Sequence, residues 1–464
     1  MKQGLIAAAS MLALSIGPAI AADLKADIAA DYPYIEEIYK DLHANPELSL
    51  QESRSSGIIA DELRKLGFQV TTNVGSEWTK AKAKERAGKV LPGVDGYGVV
   101  AVMENGDGPT VLIRADMDAL PLEEKTGLPY ASKVVSTDYM GQEAPVMHAC
   151  GHDIHMSNLI GTARQMVDKK DQWSGTLVLV AQPAEEIVLG ALAMFDDGLY
   201  ERFPRPDYAL AMHVSGGAPA GTIAFTPEYA MAAVDSVDIY VKGVGGHGAY
   251  PHNAKDPIVI GAQIVTALQT LVSREVDPID SGVVTVGSFQ AGYKHNIIPD
   301  EAHLQITVRS YTDEVRETLR TGIKRIAEAQ ARSAGLPDDM MPVVKYDQDP
   351  VIATYNDPAL VARAVEVMRA EIGAENVVES SPVMGGEDFA YFGKQDPTVP
   401  AFLFWVGAAD PKAFKAHQEG KGPAPASIHS PNFAPAAAPT LQTGIRTMTA
   451  TAIDLFGSPA SDGE

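Results

Sequence analysis

The sequence predicts a two-domain α/β protein, with a mostly parallel sheet flanked by helices and an inserted ferredoxin-like βαββαβ domain. Three observations lead there. At 464 residues the chain is too long for one ordinary hydrophobic core. Short apolar runs such as "TVLI", "LVLVA" and "FLFWV" alternate with helical periodicity, as strands buried on both faces do. Between about residues 232 and 346 the order changes to strand, helix, strand, strand, helix, strand.

The elements follow in order. The opening "MKQGLIAAASMLALSIGPAIAADL" carries one lysine, an apolar run over residues 4–20 and the small-residue pattern Ala19-Ile20-Ala21, so residues 1–21 read as an export signal. The run is short for a membrane span, which needs ~20 apolar residues, and Gly17-Pro18 interrupts it. No later stretch reads as long and apolar enough to cross a bilayer. Residues 22–231 and 347–464 are assigned to the main domain, and 232–346 to the insert. The lysine-rich, glycine-containing stretch "SEWTKAKAKERAGKVLPGVDG" (76–96) reads as a surface loop. "PTVLIRADMDALP" is an apolar strand that delivers Asp116 and Asp118 at its end. "GTLVLVAQPAEE" stops at Gln182-Pro183 and delivers Glu185 and Glu186, while "DYALAMHV" brings His213 to the end of its apolar run. Met156, Leu159, Ile160, Ala163, Met166 and Val167 keep the 3.6-residue period of a helix. After the insert, "DPALVARAVEVMRAEIG" reads as a helix, "PAFLFWVGA" as a strand and "GPAPAS" (422–427) as a loop. Open α/β sheets form their sites beyond the carboxyl ends of strands, where these acids and histidines fall.

Composition narrows the function. Hydrophobic content of 45% and charged content of 21% are those of a soluble globular protein. With 37 Lys+Arg against 60 Asp+Glu, the formal charge of −23 opposes nucleic acids and anionic membrane surfaces as partners. After signal cleavage the chain is expected in the periplasm or outside the cell, with no membrane attachment. Cys150 is the only cysteine, so it has no intramolecular disulfide partner; in an oxidising compartment a lone thiol persists when buried or bound.

Four motifs carry chemistry. In "HACGHDIH", Cys150 and His152 flank a glycine just before a helix, and thiolate plus imidazole at that spacing suit one divalent transition metal. A buried structural cysteine, or a cysteine nucleophile paired with histidine, is the competing reading. "QPAEE" places two adjacent carboxylates after a buried strand, which repel each other unless one binds a metal and the other takes a proton from water. A solvated acidic loop is the alternative. His213 and His429, in "AMHV" and "IHSPNF", are each either ligands or satisfied structural histidines. Asp116 and Asp118 are candidates for orienting a ligand or base, or for capping a turn. In the insert, "GVGGHGAYPHN" matches a dinucleotide fingerprint formally but leads to a proline turn rather than a helix, so that reading is rejected. It suggests instead an imidazole, His247, held out on a loop. "HNIIPD" and "ITVRS" add Asn296 and Arg309, an amide and a potential carboxylate clamp. No G-x-S-x-G, H-E-x-x-H or Walker motif is present.

Nine motifs in order, "LHANPELSLQE", "RADMDALP", "HACGHDIHMSNLIGTA", "QPAEE", "AMHV", "GGHGAYPH", "HNIIPD", "MGGEDFAYF" and "HSPNF", resemble the peptidase M20 superfamily over about residues 34–456. Within it the chain resembles the branch of N-acyl-amino-acid amidohydrolases, hippurate hydrolases and auxin-conjugate hydrolases. The resemblance implies a catalytic domain with an inserted lid and dimerisation domain, and a metal-dependent hydrolase or carboxypeptidase. It implies two divalent ions per subunit, manganese or zinc, with Cys150, His152, Glu186, His213 and His429 as ligands. It makes Glu185 the general base, Asp118 a supporting carboxylate, and His247 an oxyanion donor reaching across a homodimer. Asn296 and Arg309 would hold an N-acyl amino acid or short peptide. His148, Asp153 and His155 would be supporting residues, and Glu387 and Asp388 would lie near the site. The export signal and the length of the 76–96 segment depart from the branch. Metallo-dipeptidase or aminopeptidase action, and a non-catalytic exported binding protein, are the rival functions.

Overall fold

Four apolar strands, Gly175–Gln182, Thr110–Asp116, Tyr208–Pro219 and Ala401–Ala409, lie side by side in that order and run parallel. Alternate residues feed opposite faces: Val111, Ile113 and Ala115 join one apolar layer and Leu112 the other. Burial on both faces explains why these strands read as continuous apolar runs. Antiparallel strands extend the sheet to eight: Gln69–Val74 and Gly98–Asn105 beyond one end, and the parallel pair Ile223–Phe225 and Val377–Glu379 beyond the other. In this computed structural model residues 17–395 and 398–457 are described, with side chains from Leu24 onward. The expected leader therefore lies mostly outside the described residues, and residues 17–21 open the helix Gly17–Ala44.

The helix His152–Asp168 packs between Gly17–Ala44 and Ala437–Phe456. Covered on several sides, it buries nearly every residue from His152 to Met166 rather than a single stripe. Its N-terminus therefore brings rigid, dry side chains to the carboxyl ends of the sheet strands.

The insert forms a separate antiparallel sheet in the order Gly282–Ala291, Glu301–Ser310, Ala233–Lys242, Val343–Tyr346. Helices Pro257–Thr270 and Asp313–Ser333 cover one face, where Ile260, Ile264, Leu319 and Ile323 meet Ile239, Leu304 and Ile306. This is the ferredoxin-like arrangement. The chain enters and leaves through an antiparallel ribbon, Glu228–Met231 against Thr354–Asn356.

Two expectations are corrected. Residues 76–87 of the expected surface loop form the helix Ser76–Ala87, and only residues 88–96 are irregular. Its Ala, Lys, Glu and Arg residues are strong helix formers, and its lysine density marks a solvated face rather than a loop. The helix buries Thr79 and Ala83, and Lys82 and Arg86 reach Asp349 on the return segment at 2.9 and 3.1 Å. Second, the helical run Pro257–Glu275 is long and apolar enough to cross a membrane by length and composition. Its buried face is part of the lid core, which accounts for much of that apolarity, while Ile258 and Val259 are exposed on the other face.

Candidate metal centre and substrate cleft

Gly151 separates Cys150 from His152 at φ 84°, and a Cβ there would lie 2.5 Å from Val214 Cγ2. Glycine alone suits both constraints, and the sharp turn places the thiol and the imidazole near one centre. Cys150 Sγ lies 3.4 Å from His213 Nε2 and 3.1 Å from His429 Nε2, which is itself 3.5 Å from Glu186 Oε1. His213 Nδ1–H donates to the Val214 carbonyl at 2.8 Å. Burial holds this imidazole down, at about 4, so its Nε2 faces the sulfur with a free lone pair. The donor atoms fall into overlapping sets, Cys150 with His152 and His213, Cys150 with Glu186 and His429, and His152 with Glu185 and Glu186. Within each set they lie within 4.8 Å of one another.

These residues fit divalent cations. Neither ring nitrogen of fully buried His152 makes a hydrogen bond, although Nδ1 lies 3.4 Å from Asp118 Oδ1, and Glu186 Oε1 is likewise unbonded. Orphaned buried donors and acceptors are costly unless something binds them. Burial pushes the Cys150 thiol well up, and Glu186, Glu185 and Asp116 add to it. A buried thiol held protonated by surrounding carboxylates is a poor nucleophile, whereas a cation would stabilise its thiolate. His213 and His429 lie close enough to Cys150 for a Cys–His pair, but its burial among Glu186, Glu185 and Asp116 favours the ligand role over the nucleophile.

The "QPAEE" turn is held from behind. Asp118 accepts the backbone N–H groups of Glu185 and Glu186, both at 3.0 Å, and the Ser49 hydroxyl at 2.5 Å. Buried Glu52 accepts the N–H of Ala184 at 2.8 Å. Ala184, Val188 and His429 adopt φ values of 52°, 58° and 61°. For β-branched Val188 this left-handed conformation is strained, and such strain clusters at functional sites. Glu185 is 8% exposed, and its Oε2 lies 3.9 Å from His152 Nε2. Burial, then Glu387, Glu186 and Asp388, raise its carboxyl well above the usual range, which suits a group that must accept and return a proton.

Arg114 explains how so much acid is tolerated. Its guanidinium donates to Gln182 at 2.9 Å, Asp116 at 2.6 Å, Glu387 at 2.9 Å and Asp388 at 2.8 Å, all fully buried. Glu387 and Asp388 thus form a wall behind Glu185, bound to one cation. Asp116 also accepts His155 Nδ1–H at 2.5 Å, and His155 Nε2 accepts the Val214 N–H at 2.9 Å. With both nitrogens engaged, His155 has no lone pair left for a metal. Asp153 accepts Nδ1–H of His43 at 2.6 Å, while His43 Nε2 lies 3.1 Å from Glu124. His148 is buried without hydrogen-bond partners. Arg114, Glu52 and His43 were missed in the sequence; each stood in a quoted motif, but its partners lie far along the chain.

The cleft beside this centre has a volume of about 650 Å³ and is lined by Cys150, Glu185, Glu186, His213 and His429, with Arg309 from the lid. Arg309 donates to Thr307 Oγ1 at 3.1 Å and to the Met384 carbonyl at 3.4 Å. It makes no ion pair among the described residues, and burial lowers its pKa. His247 and Asn296 do not line this cleft. Both are exposed on the lid, where Gly246–His247 pairs with Ile297–Ile298 and the Gly248 N–H donates to Asn296 O at 2.9 Å. Within one chain Asn296 therefore lies apart from Arg309. His247 Nδ1 accepts the Ala249 N–H at 3.0 Å, which leaves Nε2 available as a donor.

An α/β main domain, an inserted lid and a cleft of cysteine, histidine and glutamate donors define a metal-dependent hydrolase. Peptidase family M20/M25/M40 matches residues 112–421, and the chain belongs to that family. It is an enzyme of the kind that cleaves linear amide bonds. It is 36% identical to thermostable carboxypeptidase 2 of Saccharolobus solfataricus, over 84% of this chain and 89% of that one. It is 35% identical to hippurate hydrolase of Campylobacter jejuni, over 79% of this chain and 87% of that one. The solved structure of Bacillus subtilis YXEP, described as a dinuclear metal binding peptidase of the M20 family, superimposes with a TM-score of 0.70. That match has 28% identity and covers 92% of this chain and 99% of the other.

Proposed function

We propose that the chain, exported by residues 1–21, hydrolyses the amide bond between an acyl or aroyl group and an amino acid bearing a free carboxylate. The observation that carries this is Arg309, a half-buried guanidinium with no carboxylate partner among the described residues, in the same cleft as Glu185 and the metal-donor set. In a chain of net charge −23, a cation without an acidic partner suits an acid-ended substrate. Cys150, His152, Glu186, His213 and His429 would hold two divalent ions, manganese or zinc. When bound, such ions polarise the scissile carbonyl and acidify water. Glu185 takes a proton from the attacking water and passes it to the leaving amine. Asp118 keeps Glu185 and Glu186 in place through their backbone amides.

His247 would serve the cleft of a second copy, donating Nε2–H to the developing oxyanion. Its exposure outside its own cleft supports that reading, as do the exposed apolar side chains Ile258, Val259, Phe289 and Ile297 on the same domain. The lid is then the contact surface of a homodimer.

The test is amino-acid release from N-acetyl and N-benzoyl amino acids, each compared with its carboxamide. Free acids should be cleaved at least ~10-fold faster than carboxamides, the contribution of one charge-assisted contact. Equal rates on both would reject the role given to Arg309.

A further inference from the structure

Arg309 does not stand alone in the cleft. In the lid sheet Arg309 lies between Val283 and Val234 on the neighbouring strands, and Val234 in turn bridges Val351 through backbone hydrogen bonds of 2.9 and 3.1 Å. On the main-domain side the guanidinium leans on the carbonyl of Met384, between Val383 and Gly385. Met231 bridges Val383, and its methyl would meet a Cβ placed on Gly385 at 3.2 Å. A Cβ on Gly386 would meet Val234 Cγ2 at 2.6 Å and Val351 Cγ1 at 3.3 Å. The two chain crossings between the domains and the glycine pair thus close into one apolar wall around a single cation. The ionisable residues that line the cleft, apart from Arg309, are Cys150, Glu185, Glu186, His213 and His429, all on the metal side.

We infer that this wall, built of Met231, Val234, Val351 and Val383, receives the side chain of the amino acid whose carboxylate Arg309 holds. The enzyme therefore selects neutral apolar amino acids as its leaving group. The inference rests on the proposed hydrolysis of N-acyl amino acids and adds which amino acids they carry. A leucine, methionine or phenylalanine side chain gains burial against four apolar residues. A basic side chain at the same place loses its hydration and finds no counter-charge on the wall, and an acidic one finds only Arg309, which the α-carboxylate already occupies.

The experiment uses the metal-loaded full chain and one acyl group throughout, N-acetyl, on leucine, methionine, phenylalanine, aspartate, glutamate and lysine. The expected kcat/KM for the apolar three exceeds that for the charged three by ~10- to 100-fold. A second arm uses Val383→Lys. Val383 is 43% exposed, so the fold tolerates a longer side chain there. This variant should move the glutamate-to-leucine ratio toward glutamate by ~10-fold or more, through the added counter-charge. Charged amino acids released as fast as apolar ones would overturn the inference and leave the hydrolase reading standing. An unmoved ratio in Val383→Lys would equally overturn the assignment of this wall. Release from none of the six would overturn the inference together with the reading beneath it.

Discussion

Replacing Arg114 with methionine removes one cation and keeps most of the side-chain volume, so packing is disturbed little. Four hydrogen bonds disappear, to Gln182, Asp116, Glu387 and Asp388. Three carboxylates stay buried without their counter-charge. Removing one partner of a buried ion pair costs about 3–5 kcal/mol, a large part of the ~5–15 kcal/mol by which a folded protein is stable. The pH dependence gives the mechanism away. Burial already pushes Asp388 up, to about 7, with Arg114 opposing the rise. Without Arg114, Asp388 rises further above its unfolded value of ~4. A carboxyl whose folded pKa is raised costs nothing while protonated, and destabilises as pH climbs through the gap between the two values. In the wild type, Asp116 is held low, so its contribution is instead lost as pH falls. Urea unfolding of chelator-treated wild type and Arg114→Met from pH 5 to 8.5 should therefore show the deficit widest at the alkaline end and shrinking toward pH 5. A deficit constant across that range, or none, would refute the claim that Arg114 acts by compensating buried acid.

Other predictions follow from the same residues. Glu185→Gln should lower kcat by ~10²–10⁴-fold, the range of general-base catalysis, with metal content per chain unchanged; parallel loss of both would recast Glu185 as a ligand. His43 is held up, to about 10, because Asp153 and Glu124 outweigh the downward pull of burial. Its contribution to stability is complete below its unfolded value of ~6.5 and is lost as pH rises through about 10. His43→Asn should flatten the wild-type decline in unfolding free energy over that interval, and parallel curves would contradict the assignment. If His247 acts across a dimer, mixing inactive Glu185→Gln with inactive His247→Ala should restore about a quarter of wild-type activity, since half the dimers carry one complete site. No recovery after verified subunit exchange would place His247 outside the reaction.

The parts of this molecule that were legible in the sequence are those written as local pattern. The four parallel strands are continuous apolar runs, and three of them stop at Asp116, Gln182 or just past His213, so both the sheet and the acids at its strand ends could be read together. The lid's element order was readable because strand and helix periodicities differ. Arg114 was not, because in sequence it is one arginine beside an aspartate; its role comes from Glu387 and Asp388, 273 and 274 positions away. Glu52 bonds across 132 positions and His43 across 110, with no local signature for either. The helix Ser76–Ala87 was missed for a different reason, since lysine density says solvent while the same residues favour helix. The positive φ of Ala184, Val188 and His429 could not be read from residue types that avoid it.

In the proposed mechanism Cys150, His152, Glu186, His213 and His429 form one dinuclear site that activity depends on. The most direct measurement is metal titration of chelator-treated protein with manganese or zinc, following bound metal and release of amino acid from N-acetyl-leucine together. Two equivalents per chain should bind, with release appearing as they do, and Cys150→Ser should bind more weakly. Release that persists in the chelated protein, or that is abolished by thiol alkylation and indifferent to metal, would contradict it.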